Sequence, residues 1–566
     1  MTETEPSLRR GGRILVDCLL AQGVDRAFCV PGESYLAVLD ALHESRDAID
    51  LVVCRQEGGA AIMAEAYGKL TGRPGVCFVT RGPGATNAST GVHTAFQDST
   101  PLVLFIGQVA RDKKDREGFQ EVDLAAMFAP LAKWSAEVAD ARRLPEYIHR
   151  AFQTAMVGRP GPVVLSLPED MLSGFVEAPT DPGRRAEPIP AAPTAAGMEA
   201  LAGLLARSER PLVIVGGGGW TRRAGADLLV FAERQGVPVA ASLRCQDYVD
   251  NGHAVYIGHL GIGAEPSLVA RVREADCILA LGPRLGEMTT AGYMLLAPPH
   301  PTGKVLIHVH PDPEELGRVY QADLPINAAP AEVAAALARL PAGASEARFA
   351  WTAAARADYE ASLEPLAQPG PVDLGAIMMQ LDRTLPSDTI VCSGAGNYTG
   401  WVHRHWTFHD YRCQLAPTSG AMGYGVPAAV AAARISPGRA VLSVNGDGCF
   451  LMHGQELATA TQYSCKILFL VVNNGMYGTI RMHQERDYPG HVYGTDLVNP
   501  DFVGLARAYG LAAERVAATE DFAGALERAL AAPGSALIEL VTSPEAVSVR
   551  TTLTRLREAG RARQPA

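Results

Sequence analysis

Two polar clusters, each closing an apolar run, carry most of the chemistry in this chain. In AVLSVNGDGCFLMHGQELATATQYSCKILFLVVNNGMYG the order reads as strand, Gly446-Asp447-Gly448 turn, helix and second strand, ending in Asn473-Asn474. Both clusters then sit just past the carboxyl ends of parallel strands. Open α/β sheets bind ligands at that edge, so Asp447 and Asn474 converge although residues 449 to 472 lie between them. A carboxylate and an amide oxygen suit a hard cation. Magnesium takes one or two protein oxygens and completes its octahedron with water and substrate phosphates, so the pair asks for a diphosphate. Gly446 and Gly448 let the backbone approach the phosphates, and the helix after Cys449 offers unpaired N–H groups and its positive dipole end.

The elements that must position these groups recur along the chain. VDCLLAQGV, DLVVCRQ, GAAIMAEAYGKL, GVCFVT and PLVLFIGQV alternate helical patterns with short apolar strands, which reads as a parallel sheet flanked by helices. A shift to Pro, Gly and charge from Ala178 to Gly197 reads as an extended linker. PLVIVGGGG, PVAASL, CILALG and KVLIHVH form a second such run, and TIVCSG, RAVLSVNGDG and KILFLVVNNG a third, after a break from Gln368 to Asp373. The expected fold class is α/β, with three doubly wound, mainly parallel domains at 1–180, 198–340 and 370–550. No repeat occurs at a fixed period.

Composition narrows the function. The 566 residues allow about three to five domains and exclude a single small binding module. Fifty Lys and Arg against 61 Asp and Glu give a net charge of −11, the wrong sign for a partner that is nucleic acid or anionic lipid, which favours a small-molecule ligand. The ten cysteines include no CxxC pair, so neither a structural zinc site nor a thioredoxin-like motif is available and a reduced, cytoplasmic chain is expected. The N-terminal MTETEPSLRRGG has no apolar core of a targeting signal. Apolar runs such as Ile467 to Val472 fall far short of the ~20 residues that span a bilayer.

GDG, a gap in the twenties and NN together resemble the signature of the thiamine diphosphate enzymes of the acetolactate synthase and pyruvate decarboxylase superfamily, and the likeness extends over nearly the whole chain. It implies a pyrimidine-binding first domain, a central domain and a diphosphate-binding third domain. It also implies thiamine diphosphate and Mg2+ as cofactors, the metal held by Asp447, Asn474 and the backbone carbonyl of Met476. In VVCRQEGGAAIMAEAYGKLTGRPGVCFVTRGPGATN, Glu57 ends a strand and small residues open a helix. Glu57 resembles the family's activating glutamate, whose carboxyl promotes the imino tautomer of the aminopyrimidine so that it can take the thiazolium proton; the alternative is a Glu that merely favours a helix N-terminus. PTSGAMGYGVPAAV resembles the loop that holds the pyrimidine, with Gly420 and Met422 binding its edge through their backbones and the Met422 side chain bending the cofactor, unless Met422 is one more core methionine. SGAGN, with Gly394, Ala395, Gly396 and Asn397, resembles the loop contacting the diphosphate. In the resembled family the site forms between the first domain of one subunit and the third of another, which implies a homodimer or homotetramer.

The reaction is less constrained. GFQE, Gly118 to Glu121, resembles a synthase stretch near the bound 2-oxo acid, making Phe119 and Gln120 candidate substrate contacts; a solvated loop after RDKKDRE is the alternative. His93 lies in the same expected region, as a substrate contact or a core residue. His483 stands where biosynthetic synthases place a tryptophan beside the second substrate, which puts acceptor choice in doubt, and a helical His is more often a surface or packed residue than a catalyst. There is no adjacent His-His pair like that of pyruvate decarboxylases. The resembled synthases bind FAD in the central domain, and IVGGGGW leaves FAD open here, but GPRLGEMTT keeps Arg284 without the following acidic pair. The leading expectation is a carboligase that decarboxylates a 2-oxo acid such as pyruvate and transfers the acyl carbanion to a second carbonyl. A non-ligating decarboxylase, C–C hydrolase or acetyltransferase of the same superfamily is the alternative, and the retained Glu57, Asp447 and Asn474 disfavour a non-enzymatic subunit.

Overall fold

The computed structural model describes residues 7–178 and 180–563. Each of the three runs closes a six-stranded sheet whose strands are all parallel. The central strands are buried and mainly apolar, as burial by helices on both faces requires, while edge strands such as Trp134–Glu137 and Ala512–Val516 are partly exposed. In spatial order the first sheet is Asp50–Val53, Arg26–Cys29, Gly75–Thr80, Leu102–Gln108, Pro162–Pro168 and Trp134–Glu137. The second is Tyr256–His259, Val239–Ala241, Pro211–Val215, Cys277–Leu281, Val305–His310 and Leu324–Asn327. The third is Gln414–Leu415, Ile390–Ser393, Val441–Gly446, Leu468–Asn473, Ala536–Val541 and Ala512–Val516.

Numbered within each domain, the first and third sheets share the order 2-1-3-4-6-5, whereas the middle sheet runs 3-2-1-4-5-6. In the third sheet the chain leaves strand Ile390–Ser393 for the edge and returns across it to Val441–Gly446. The crevice at such a reversal is where open α/β sheets bind ligands. The loop after the first of these strands is Gly394–Asn397 and the segment after the second is Asp447–Cys449, so topology brings two of the expected binding segments side by side.

The chain divides into two compact units. One holds the first domain with Val430–Ile435, and the other holds the middle and third domains. Within the second unit the two sheets are joined by buried polar bonds. The Gln246 amide donates to the carbonyl of His403 (2.9 Å), Asp247 accepts from the N–H groups of Cys413 and Gln414, and Asn251 exchanges bonds with Phe408.

Two local expectations need correction. The expected linker is extended up to Thr194, but Ala195–Ala206 is a helix whose first turn is capped by the Thr194 hydroxyl accepting from Gly197 N–H at 3.1 Å. Gly446 closes its strand and Asp447 opens the helix Asp447–His453 directly, so the helix starts two residues earlier than expected and no separate turn intervenes.

Candidate active site

In the second unit a cavity of about 310 Å³ opens at the carboxyl edge of the third sheet. It is lined by Ala395, Gly396 and Asn397, by Gly420 and Met422, by Gly446, Asp447, Gly448 and Cys449, and by Asn474 and Met476. The segments singled out in the sequence from Gly394 to Met476 therefore meet around one space, of a size that suits a small organic ligand. Gly394 stands behind the lining, where a Cβ would lie 2.2 Å from the Cys449 sulfur.

Asp447 is nearly fully buried. Its Oδ1 accepts from Gly448 N–H (2.9 Å), and its Oδ2 from Gly475 N–H (2.9 Å) and the Asn499 amide (2.8 Å). Burial is the largest influence on this carboxyl and raises its pKa, against the lowering effect of those N–H donors. Asn473 turns away from the cavity: its amide donates to Glu539 (2.8 Å) and its carbonyl oxygen accepts from Asn499 (2.9 Å). Asn474 faces the cavity, and its Oδ1 lies 3.3 Å from Met476 N–H. The loop from Gly475 to Tyr477 is held by backbone bonds to Thr495 and Leu497, on the same segment that supplies Asn499. Among the described residues no three His, Cys, Asp or Glu cluster as a metal site. A cation here would rest on one carboxylate plus amide and carbonyl oxygens, a donor set that suits magnesium better than zinc.

Glycines shape the cavity wall. A Cβ at Gly396 or Gly446 would meet the Tyr398 ring at 2.7 and 2.9 Å, and one at Gly448 would meet Tyr477 at 2.6 Å. Tyr398 is thus wedged under both ligand-facing loops, and its hydroxyl lies 3.4 Å from the Cys449 sulfur. The same sulfur accepts from Gly423 N–H (3.1 Å), and His453 bonds the Gly423 carbonyl (3.0 Å), which ties the Gly420–Gly423 loop to the helix Asp447–His453. Met422 both lines the cavity and packs on the domain core. Gly420, with φ of +71°, has open space where a Cβ would lie.

In the first unit, Glu57 does not end a strand. Strand Asp50–Val53 stops earlier, Gln56 caps the next helix by accepting from Gly59 N–H (3.0 Å), and Glu57 is that helix's first residue. Its Oε2 accepts from the Asn87 amide (2.9 Å), and a Cβ on Gly84 would lie 3.6 Å from its Oε1. The start of helix Arg81–Asp98 also reaches the GFQE loop: Gly82 N–H donates to the Gln120 carbonyl (2.9 Å) and the Arg81 guanidinium to the Phe119 carbonyl (3.3 Å). The Phe119 ring is 71% exposed, and Gln120 takes φ of +66° with its buried Oε1 lacking a hydrogen-bond partner among the described residues. His93 is exposed further along the same helix. In the second unit His483 is half-buried on helix Gly478–Asp487, its Nδ1 without a hydrogen-bond partner among the described residues; the start of that helix, Gly478 to Ile480, lines the cavity, and His483 does not.

The first two glycines of the central run are closely packed, whereas Gly219 is exposed. A Cβ at Gly216 would strike the Ser242 hydroxyl (2.1 Å) and one at Gly217 the Gly282 carbonyl (2.0 Å). The buried Trp220 indole donates to the Gly216 carbonyl (2.8 Å), and the Tyr248 hydroxyl to that of Gly217 (2.6 Å). Gly216 and Gly217 allow this close chain packing.

Comparison with known proteins bears on the chain as a whole. The thiamine pyrophosphate enzyme N-terminal TPP binding domain matches residues 9–127, the central domain 198–337 and the C-terminal TPP binding domain 394–540. An acetolactate synthase large subunit of Parasynechococcus marenigrum is 33% identical, over 94% of this chain and 88% of that protein. The chain belongs to the thiamine pyrophosphate enzyme family. The acetolactate synthase large subunit of Corynebacterium glutamicum is 32% identical, over 93% of this chain and 85% of its own length. A probable acetolactate synthase large subunit of Methanocaldococcus jannaschii is 31% identical, over 94% and 92%. As a thiamine pyrophosphate enzyme the chain is expected to cradle a diphosphate, and the glycine-walled cavity beside Asp447 and Asn474 fits one.

Asn499, Glu539, Asn87 and Tyr398 also belong to these arrangements, and sequence reasoning missed them. Asn499 lies 52 positions after Asp447 and Asn87 lies 30 after Glu57, with no periodicity tying either to its partner. Tyr398 directly follows SGAGN, and that adjacency was the one available signal.

Proposed function

We propose that this chain is a magnesium- and thiamine diphosphate-dependent carboligase, which decarboxylates a 2-oxo acid of the pyruvate class and transfers the acyl carbanion to a second carbonyl. The observation that carries the reading is the meeting of Asp447, Asn474, the Gly394–Asn397 loop and the Gly420–Met422 loop around one cavity. Likeness to proteins named acetolactate synthase over 94% of the chain supports a ligating reaction. Bound thiamine diphosphate supplies an acyl-anion equivalent that side chains cannot.

In this reading Asp447, Asn474 and the Met476 carbonyl hold the magnesium. Backbone groups of Ala395 to Asn397 and Gly446 to Cys449 take the phosphates. The Gly420 and Met422 backbones take the pyrimidine edge, and the Met422 side chain supports the bend. Glu57, oriented by Asn87, exchanges a proton with the aminopyrimidine. Phe119, Gln120 and His93 are the substrate contacts of the first domain, and His483 lies outside the cavity lining, on the helix whose start forms part of it. The active assembly is a homodimer or homotetramer with each site shared between subunits. FAD has no step in this reading. Ten free, buried cysteines and the lack, among the described residues, of a helix long and apolar enough to cross a membrane support a cytoplasmic enzyme.

Incubation with pyruvate, thiamine diphosphate and Mg2+, with and without an acceptor aldehyde or 2-oxo acid, tests the reading by product mass. Acetolactate or another ligation product upholds it. Acetaldehyde or acetate alone assigns the chain to the non-ligating decarboxylases or hydrolases, and no turnover of any 2-oxo acid overturns it.

A further inference from the structure

Behind the cavity, the hydrogen bonds of Asp447 continue through two asparagines to a buried carboxylate. The Asn499 amide donates both to Asp447 Oδ2 (2.8 Å) and to the Asn473 oxygen (2.9 Å). The Asn473 amide donates in turn to Glu539 Oε1 (2.8 Å), and the other Glu539 oxygen accepts from Arg515 Nε at the same distance, 2.8 Å. Glu539 is 1% exposed, whereas Arg515 reaches solvent. The same guanidinium donates to Asp501 (2.9 Å), which lies two residues past Asn499 with Pro500 between them. The chain of bonds thus closes on itself, and the loop that carries Asn499 is anchored by the arginine that meets Glu539.

The sheet brings these groups together. Arg515 and Glu539 are register partners on the parallel strands Ala512–Val516 and Ala536–Val541, and on the other side Glu539 is the partner of Val471, two residues before Asn473. Residues two apart on a strand share a face. A carboxylate only accepts hydrogen bonds, whereas an asparagine amide donates on one side and accepts on the other. Glu539 therefore makes Asn473 turn its NH2 toward the sheet and its oxygen toward Asn499, and that oxygen makes Asn499 turn its NH2 toward Asn473 and Asp447. With the amides reversed, the Asn499 oxygen would face the buried Asp447 carboxylate, acceptor against acceptor, at the cost of an unsatisfied buried group.

We propose that Glu539 is a positioning residue for the metal site: through Asn473 and Asn499 it sets the orientation of the Asp447 carboxylate, and with it the affinity for magnesium. Glu539 touches neither the cavity nor the cation and acts only through the two amides. Groups that orient a metal's ligands change its affinity roughly 10- to 100-fold when they are lost. The inference rests on the magnesium reading above.

Glu539→Gln keeps size and shape but cannot satisfy both neighbours. An amide that accepts from Arg515 must turn its NH2 to Asn473, and the reversal then passes to Asn499. Removing the arginine as well frees the glutamine to accept from Asn473. The Mg2+ concentration that half-saturates thiamine diphosphate binding is read by tryptophan fluorescence on EDTA-treated, dialysed protein, with denaturation midpoints measured beside it. The expected result is a half-saturation point raised roughly tenfold or more in Glu539→Gln and in Asn499→Ala, and at least partly restored in Glu539→Gln/Arg515→Met. A lowered denaturation midpoint with an unchanged Mg2+ requirement in the first two variants makes the bonds a structural brace only and overturns the proposal, leaving the magnesium reading intact. A double variant no better than Glu539→Gln also overturns it, because removing the second half of a broken ion pair restores the site only if amide orientation is what was lost. Thiamine diphosphate binding by the parent that ignores Mg2+ and EDTA overturns the magnesium reading and the proposal together. If Glu539→Gln does not fold, Asn499→Ala decides, because it leaves the buried Glu539 paired with Arg515.

Discussion

A glutamate at the first position of a helix usually serves the helix dipole, but Glu57 also receives the Asn87 amide, which orients its carboxyl across to a neighbouring helix. A role in the dipole alone would survive Glu57→Gln with a loss of a few tenths of a kcal/mol. A proton-exchanging role predicts that the same change leaves thermal stability and thiamine diphosphate affinity near the parent's while turnover falls ~10²-fold or more. Steady-state kinetics beside a binding titration distinguish the two. Asp447 is the single carboxylate expected at the metal. Asp447→Ala is expected to abolish thiamine diphosphate binding, and EDTA is expected to do the same to the parent until Mg2+ is restored. Calorimetric binding that ignores both treatments would remove magnesium from the reading.

At the scale of elements, the helix Gly478–Asp487 completes the cavity rim and is held from behind by the helix Leu553–Arg563. Glu485, fully buried, receives a two-pronged bond from Arg557 at 2.9 and 2.5 Å. A Cβ at Gly560 would come within 2.8 Å of the Glu485 and Arg486 carbonyls, so the helices cross at a distance only glycine permits. Glu485→Ala leaves Arg557 facing a vacated pocket and is expected to cost about 2 kcal/mol, because Arg557 is partly solvated and the loss stays below that of a fully buried pair. Chemical denaturation measures the cost. Because the same helix carries Thr479 and Ile480 into the cavity, thiamine diphosphate affinity should fall with it.

Across the molecule, the first and third sheets repeat one strand order and the middle sheet follows another, although the sequence shows no fixed-period repeat. Topology outlasts sequence likeness because any apolar run buried on both faces satisfies a central parallel strand. The unit of middle and third domains buries His259, His403 and His405, and burial lowers all three pKa values, His259 and His405 to about 4 and His403 well below the usual value. The unfolded chain binds these protons near pH 6.5, while in the folded chain His259 and His405 resist them until about pH 4. The neutral forms of His259 and His405 therefore leave stability whole above pH 6.5 and withdraw it as pH falls through that interval, by roughly 3 kcal/mol for each of these two at the lower end. Unfolding free energies between pH 7 and 4 are expected to decline, and His259→Gln with His405→Gln to flatten the decline relative to the parent.

Some of this protein could be read from the chain alone. Apolar runs too short for helices, separated by helical patterns, specify parallel strands. Parallel strands place their following loops on one edge, so Asp447 and Asn474 could be paired from their spacing and strand context. Local residues also sufficed for the glycine loops, whose missing side chains are a local requirement. Position in three dimensions decided the rest. Asn499 is aligned with Asp447, Glu539 with Asn473 and Asn87 with Glu57 by loops and sheet edges that meet only after folding. The central GGGG run looked open to a nucleotide in sequence, and Trp220 and Tyr248 bond its first two carbonyls, because glycine allows a ligand and a packed neighbour to approach equally well.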